Sequence, residues 1–374
     1  MSRVVAWVKG SLKYVVGFGL LAWVVAVNWA TPPGSAAPGL GDLVRARVDP
    51  LALAGAGLLL TGAIVVQVLR WHVLVRALGV PLPFRDALRV GLVAVFYNTF
   101  LPGAVGGDLV RAYVVARDCP GRRAAAVASV GIDRVIGLFG LILYTALVGG
   151  GCWLTGDPRI LGNPSLQTAV GWSAVAAIAG LGGWAALGLI REPAAERMRG
   201  LLARVPKVGP PLAGLWRATW LYRRRRRAVA LALMLTAVAQ GGLVGGFDLA
   251  ARTFPPSDPA GVGTLAEHFV IVPLGFVAQA VIPSPGGVGA GEAAYGWLYR
   301  EVLGKPAATG IAASLGVRFL FAAIGLVGYV VYLRERTRLP GPDKAEPAGT
   351  TPRPGARRLW PTLGVAVSGR RRST

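Results

Sequence analysis

Two acids and two arginines stand at matching places in the two halves of this sequence. Asp108 closes the run Asn98-Thr99-Phe100-Leu101-Pro102-Gly103-Ala104-Val105-Gly106-Gly107-Asp108. Glu292 closes the run Ile282-Pro283-Ser284-Pro285-Gly286-Gly287-Val288-Gly289-Ala290-Gly291-Glu292. One constant shift along the chain lays Asp108 on Glu292, Gly107 on Gly291 and Arg134 on Arg318. Each acid is thus followed, at the same spacing in both halves, by an arginine inside an apolar stretch. An arginine in hydrocarbon costs roughly 3 kcal/mol or more on insertion scales, so it faces a partner or a wet cavity. Two chemistries suit Arg134 and Arg318. They can offer bidentate donors to a phosphate within the membrane, or they can form structural ion pairs. The candidate partners are Asp133 or Asp108 for Arg134, and Glu292 for Arg318.

Asp108 and Glu292 each follow a Gly/Pro break and open a new segment, where an acid caps free N–H groups. The sharper expectation is that each alternates between its helix end and an arginine as a site changes its exposed side. Arg111, one turn after Asp108, either holds a headgroup at the mouth of such a site or extends to the interface, the simpler reading. Tyr97 and Asn98 read as polar glue between helices. His72 reads as an interfacial anchor beside Trp71. His268 and Glu267 lie near the outer end of the second short apolar segment. No GxSxG, HExxH or P-loop pattern appears, so hydrolase and NTPase readings lack a site. Cys119 and Cys152 stand far apart without a CxxC, and with only His72 and His268 beside them they cannot build a metal cluster. No catalytic residue, metal or cofactor is expected.

The elements that must position these residues are membrane helices. Of the 374 residues 54% are hydrophobic and 15% charged, against about a quarter charged in a soluble domain. Mean hydropathy is +0.55. A net charge of +23 would suggest nucleic acid in a soluble chain. Here the basic residues lie between apolar runs, which points to a cytoplasmic face and anionic lipid instead. Runs free of charge occur at 14–30, 51–69, 168–190 and 228–247, and longer ones with internal charges at 124–154 and 307–333. Two shorter segments, 88–101 and 269–282, run into the Gly/Pro clusters, the sign of re-entrant or broken helices. With six full crossings, an inside N-terminus and both short segments re-entrant, 32 Lys and Arg fall inside and six outside. That bias supports the topology.

The fold expected is therefore an all-α integral membrane protein of about six spanning and two re-entrant helices. The two halves enter their breaks from opposite sides, which makes an inverted repeat. The organisation expected is a first helix and outer loop over 1–50 and repeat units over 51–154 and 228–338. A linking helix and basic connector cover 155–227, and a disordered basic tail covers 339–374. Both termini are expected in the cytoplasm, and the membrane is expected to be the bacterial inner membrane.

The residues Phe96-Tyr97-Asn98-Thr99-Phe100-Leu101-Pro102-Gly103, then Gly106-Gly107-Asp108 and Arg111, resemble the signature of the lysylphosphatidylglycerol synthase transmembrane family. Ser129-Val130-Gly131-Ile132-Asp133-Arg134 resembles its helix with an Asp-Arg pair, and Pro285-Gly286-Gly287-Val288-Gly289 with Gly291-Glu292 resembles its C-terminal glycine motif. The likeness covers roughly residues 10–335. It implies a flippase-like domain for lipids or lipid-linked headgroups, without the soluble aminoacyl-transferase domain of the bifunctional members.

The function expected is translocation of a phospholipid or polyprenyl-phosphate-linked headgroup between leaflets. The polar site would be lined by Arg134, Arg318, Asp108 and Glu292, with Asp133 and Arg111 nearby. The partners expected are membrane lipids with an anionic or phosphate-bearing headgroup, and a glycosyltransferase or lipid-synthesis enzyme, but not nucleic acid. Two rivals stand beside it. One is a membrane-embedded transferase on a polyprenyl-phosphate sugar, with Asp108 or Asp133 as base. The other is a scaffold for a glycosyltransferase.

Overall fold

The computed structural model describes residues 2–31, 37–100, 106–118, 123–158, 162, 164–206, 209–254, 259–281 and 287–336. Among them the regular secondary structure is helical throughout, with no strand. Five helices are long and apolar enough to cross a bilayer. These are α3 (Pro50–Ala77), α6 (Arg123–Leu154), α7 (Pro164–Leu187), α10 (Arg226–Thr253) and α13 (Ala307–Arg336). Helix α1 (Ser2–Val27) precedes them, with its described apolar part at Tyr14–Val27. The tail expected to be disordered lies outside the described residues.

The two short apolar segments form α4 (Phe84–Phe100) and α11 (Leu265–Val281), of 17 residues each. At 1.5 Å per residue each is about 25 Å long, short of the roughly 30 Å of hydrocarbon. After the breaks come α5 (Gly106–Asp118) and α12 (Ala290–Trp297), the latter continued by a π-helical turn at Leu298–Val302. Helix α12 starts at the same offset from α5 as α13 does from α6. It is also the offset between Asp108 and Glu292, so the shift that aligns the charges aligns the elements that carry them.

The packing repeats as well. In the first unit α3 lies against α4, α4 against α5, α5 against α6, and α3 against α6. In the second, α10 lies against α11, α11 against α12, α12 against α13, and α10 against α13. The units meet chiefly along α3 and α10, with α4 on α13 and α11 on α6 flanking that seam. The seam is antiparallel. Asp49 N donates to Thr253 O at its one end (3.0 Å), while towards the other Arg70 Nη1 reaches Thr236 Oγ1 (3.2 Å).

Small residues let the two backbones approach, as in other membrane helix pairs. A Cβ on Gly246 of α10 would lie 2.7 Å from Leu60 Cδ2. Helix α3 starts at the seam's edge because Asp49 caps it, accepting from Leu51 N (2.9 Å) and Ala52 N (3.1 Å), with Pro50 in the first turn. Around the seam Leu60, Val244, Phe247, Ile271 and Tyr299 form the largest buried cluster. Large apolar side chains such as Leu58, Trp172 and Ile178 point outward, where lipid is their natural solvent. The stretch read as a basic connector contains two helices, α8 (Glu192–Ala203) and α9 (Gly209–Tyr222), packed on each other.

Candidate functional site: two acid–arginine clusters

Helix α5 brings Asp108 in its first turn against Arg134 of α6, with Arg134 Nε donating to Asp108 Oδ2 at 2.5 Å. Helix α12 brings Glu292 against Arg318 of α13 in the same way, with Nε donating to Oε1 at 2.6 Å and Nη2 to Oε2 at 3.2 Å. In each unit the arginine stands about three turns, or about 17 Å, into its helix. Both arginines therefore take the acid of the preceding short helix, at a sequence separation of 26 in each unit. Asp133 is not the partner of Arg134.

The two pairs differ in their surroundings. Glu292 is fully buried and satisfied on every side. Its Oε2 accepts from Gly289 N (2.7 Å), which closes a capping box on α12, and its Oε1 also takes Ser314 Oγ (3.3 Å). Arg318 is further held by Gly287 O at 3.0 Å. In this conformation Glu292 makes the helix-end and the arginine contacts at once. In the first unit the Arg134 side chain is 52% exposed, and Asp108 Oδ1 is buried with no hydrogen-bond partner among the described residues.

The first cluster also holds more charge. Asp133 accepts from Arg70 Nε of α3 at 2.8 Å, with Arg111 Nη1 at 3.6 Å from its other oxygen. The Arg111 side chain is turned into the protein. Its side chain is 11% exposed, its guanidinium carbon lies 5.2 Å from the centre of the Trp71 ring, and its Nε is buried without a partner among the described residues. Attraction to Asp133 and the face of Trp71 outweighs hydration at this depth. Three arginines, Arg70, Arg111 and Arg134, thus share two carboxylates, and the cluster carries one positive charge in excess.

Asn98 Oδ1 accepts from Gly107 N at 2.9 Å, which ties the last turn of α4 to the first of α5. Gly107 is required there, since a Cβ would lie 2.3 Å from the backbone oxygen of Ala94. Gly106 begins α5, and Gly291 lies in the first turn of α12 beside Arg318 Nη2. Gly287 and Gly289 have φ of +75° and +80°, a conformation that glycine adopts without strain. Pro102, Gly103, Pro283, Pro285 and Gly286 lie outside the described residues.

Two groups of residues were not singled out from sequence. Arg70 is one, because the charge-free run ends at Leu69 although α3 continues to Ala77. The other is a buried network on α10, α11 and the π-helical turn. His268 Nδ1 lies 2.8 Å from Asp248 Oδ1, and His268 Nε2 lies 2.6 Å from the Tyr299 hydroxyl. That hydroxyl is also 3.0 Å from Val262 O, and Asp248 takes Arg252 Nε (2.8 Å) and Nη2 (3.1 Å). A carbonyl only accepts and a tyrosine has one proton to give. Tyr299 gives its proton to Val262 O, and the imidazole of His268 bridges Asp248 and the Tyr299 hydroxyl oxygen. His268 was legible beside Glu267 near the end of the second short apolar segment. Its partners Asp248 and Tyr299, on other elements of the chain, were not.

The model of one protein family, the lysylphosphatidylglycerol synthase TM region, matches residues 12–328. No curated protein and no solved structure matches the chain.

Proposed function

Because the chain belongs to the lysylphosphatidylglycerol synthase TM region family, a lipid-related membrane family, we propose that this multi-pass protein is flippase-like. In this reading it moves a phospholipid or lipid-linked headgroup between leaflets while the acyl chains stay in lipid. The reading rests on one observation. After each of two short interrupted helices, at matching places in the two units, an acid meets an arginine about three turns into the next long helix. Broken helices in paired units are a recurrent transporter arrangement. Irregular backbone at membrane depth persists only where protein buries it or a cavity wets it.

Chemistry assigns the clusters different parts. The first, with one unbalanced positive charge, suits a headgroup carrying a single phosphodiester charge. Arg134 and Arg111 are the donors best placed to receive it, and Asp133 and Arg70 hold Arg111 in place. The second, a balanced and saturated pair, accepts a phosphate only if Arg318 leaves Glu292. The antiparallel seam of α3 and α10 supports reading the two units as an inverted repeat. With no nucleotide motif in the sequence, a gradient or product removal supplies the driving force.

Leaflet exchange of headgroup-labelled lipids in proteoliposomes tests the proposal. Phosphatidylglycerol, its lysyl-modified form and a polyprenyl-phosphate sugar are compared for the wild type and Arg134→Gln/Arg318→Gln. The expected result is exchange of one of these lipids that is lost in the double variant with the fold intact. Exchange unchanged in the double variant removes the arginines from the mechanism. No exchange of any lipid by folded protein favours the transferase or the scaffold.

A further inference from the structure

Away from both clusters, the chain leaves α7 through Gly188–Ile190 into α8, and leaves α9 through Arg223–Arg225 into α10. The two turns face one another across a recess of about 470 Å³, lined among others by Leu189, Arg191, Glu192, Arg223, Arg224 and Arg226. That is within the roughly 300–1,000 Å³ of sites that hold small ligands. Four guanidinium groups against one carboxylate give its walls a formal charge of +3. The only other acid between 188 and 225 is Glu196, and it is taken by Arg199 Nε at 2.6 Å. Arg223 is fixed in place. Its guanidinium carbon lies 3.4 Å from the centre of the Trp220 ring, and its Nη1 donates to Trp220 O at 2.9 Å. Burial and then the like charge of Arg224 lower the Arg223 pKa, with Glu192 opposing.

Like charges converging on one concave surface repel unless an anion joins them. Arginine is also the side chain whose planar donors match phosphate oxygens in pairs. We infer that this recess binds a polyanionic phosphate group of two or three charges, at a site separate from both acid–arginine clusters and independent of whether lipid crosses there. Two sources carry that chemistry. One is a lipid headgroup with two phosphates, which would lie beneath the exposed Leu189 side chain. The other is free diphosphate.

The full-length protein in detergent is titrated with inorganic diphosphate. Separately it is placed in nanodiscs containing diphosphatidylglycerol, or phosphatidylglycerol at equal charge. Thermal midpoint and direct binding are read for the wild type, for Arg191→Gln/Arg224→Gln in the recess, and for Arg197→Gln/Arg204→Gln on the same connector outside it. All four arginines are exposed, so both variants should fold. The expected result is a raised midpoint for wild type and the outside variant, with affinity weakened about tenfold or more in the recess variant. A response to diphosphate alone assigns the site to a soluble ligand, and a response to diphosphatidylglycerol alone assigns it to lipid. Equal weakening in the two variants would show general attraction to a basic surface and overturn the inference. Absence of any response to either probe overturns it as well.

Discussion

The exposed half of Arg134 is the point at which a translocation path either exists or does not. The sensitive perturbation is removal of the charge it pairs with, by Asp108→Asn, compared with Glu292→Gln in the second unit. Glu292 is 0% exposed and Arg318 21%. Removing one partner of a buried pair costs about 3–5 kcal/mol. Glutamine retains an acceptor for Gly289 N and Arg318, so about 3 kcal/mol is expected. At roughly 2 °C per kcal/mol for a large domain, the midpoint falls by about 6 °C. If the exposed side of Arg134 is wetted, water replaces Asp108. The loss is then that of a solvated ion pair, about 0–1 kcal/mol, or about 2 °C at most. The assay is thermal unfolding in nanodiscs, where lipid rather than detergent surrounds the helices. Equal losses for the two variants, with stability regained in Asp108→Asn/Arg134→Gln, would mean that Arg134 faces hydrocarbon. No headgroup could then reach it through a wet path, and the role given to the first cluster would be refuted.

Three further outcomes follow from contacts outside the clusters. Tyr299→Phe removes the hydroxyl shared by His268 Nε2 and Val262 O, two groups that stay buried, so it should cost about 2 kcal/mol; denaturant unfolding reads this. Gly246→Ala places a Cβ 2.7 Å from Leu60 in the α3–α10 seam and should cost about 1–3 kcal/mol. By contrast Gly62→Ala, whose Cβ meets nothing within 4 Å, should be neutral or stabilising by up to about 1 kcal/mol in the same measurement. The third concerns Asp42, whose pKa is lowered chiefly by the Thr31 hydroxyl and then by Gly39 N–H. A depressed carboxylate stabilises its loop above the unfolded pKa, about 4, and the contribution is lost as pH falls through the lower folded value. Intrinsic-rate-corrected hydrogen exchange of the Gly39 amide should therefore accelerate below about pH 4, and Asp42→Asn should abolish that dependence.

What could be read from sequence followed from the scarcity of charge. In a chain this apolar, Asp108, Arg134, Glu292 and Arg318 stand out against their surroundings, and the Gly/Pro breaks mark where the short helices must end. A single offset then aligns charges and helix starts together. Arg70 escaped because a run that stops at the first charge misplaces the end of α3 by about two turns. Its partner Asp133 lies 63 positions away, a separation that no periodicity encodes. The Asp248–His268–Tyr299 network escaped for the same reason. It is assembled by packing of α10 on α11 and by the π-helical turn after α12, neither of which has a local sequence signature. The pairing of α3 with α10 is likewise a property of the assembled seam.

The same offset also shows which parts of the first cluster are not duplicated. Asp108 and Arg134 have counterparts in Glu292 and Arg318, but Arg111 falls on Tyr295 and Asp133 on Val317. Tyr295 turns its hydroxyl to Val272 O at 3.1 Å and stacks near Phe247, and Val317 is buried in the same core. Core packing in the second unit thus occupies the places that hold charge in the first. The acid–arginine pair is common to both units. The unrepeated Arg70, Arg111 and Asp133 give only the first of the two acid–arginine clusters an excess of positive charge. On the translocation reading proposed above, that asymmetry of charge would make the first cluster the stronger holder of an anionic headgroup.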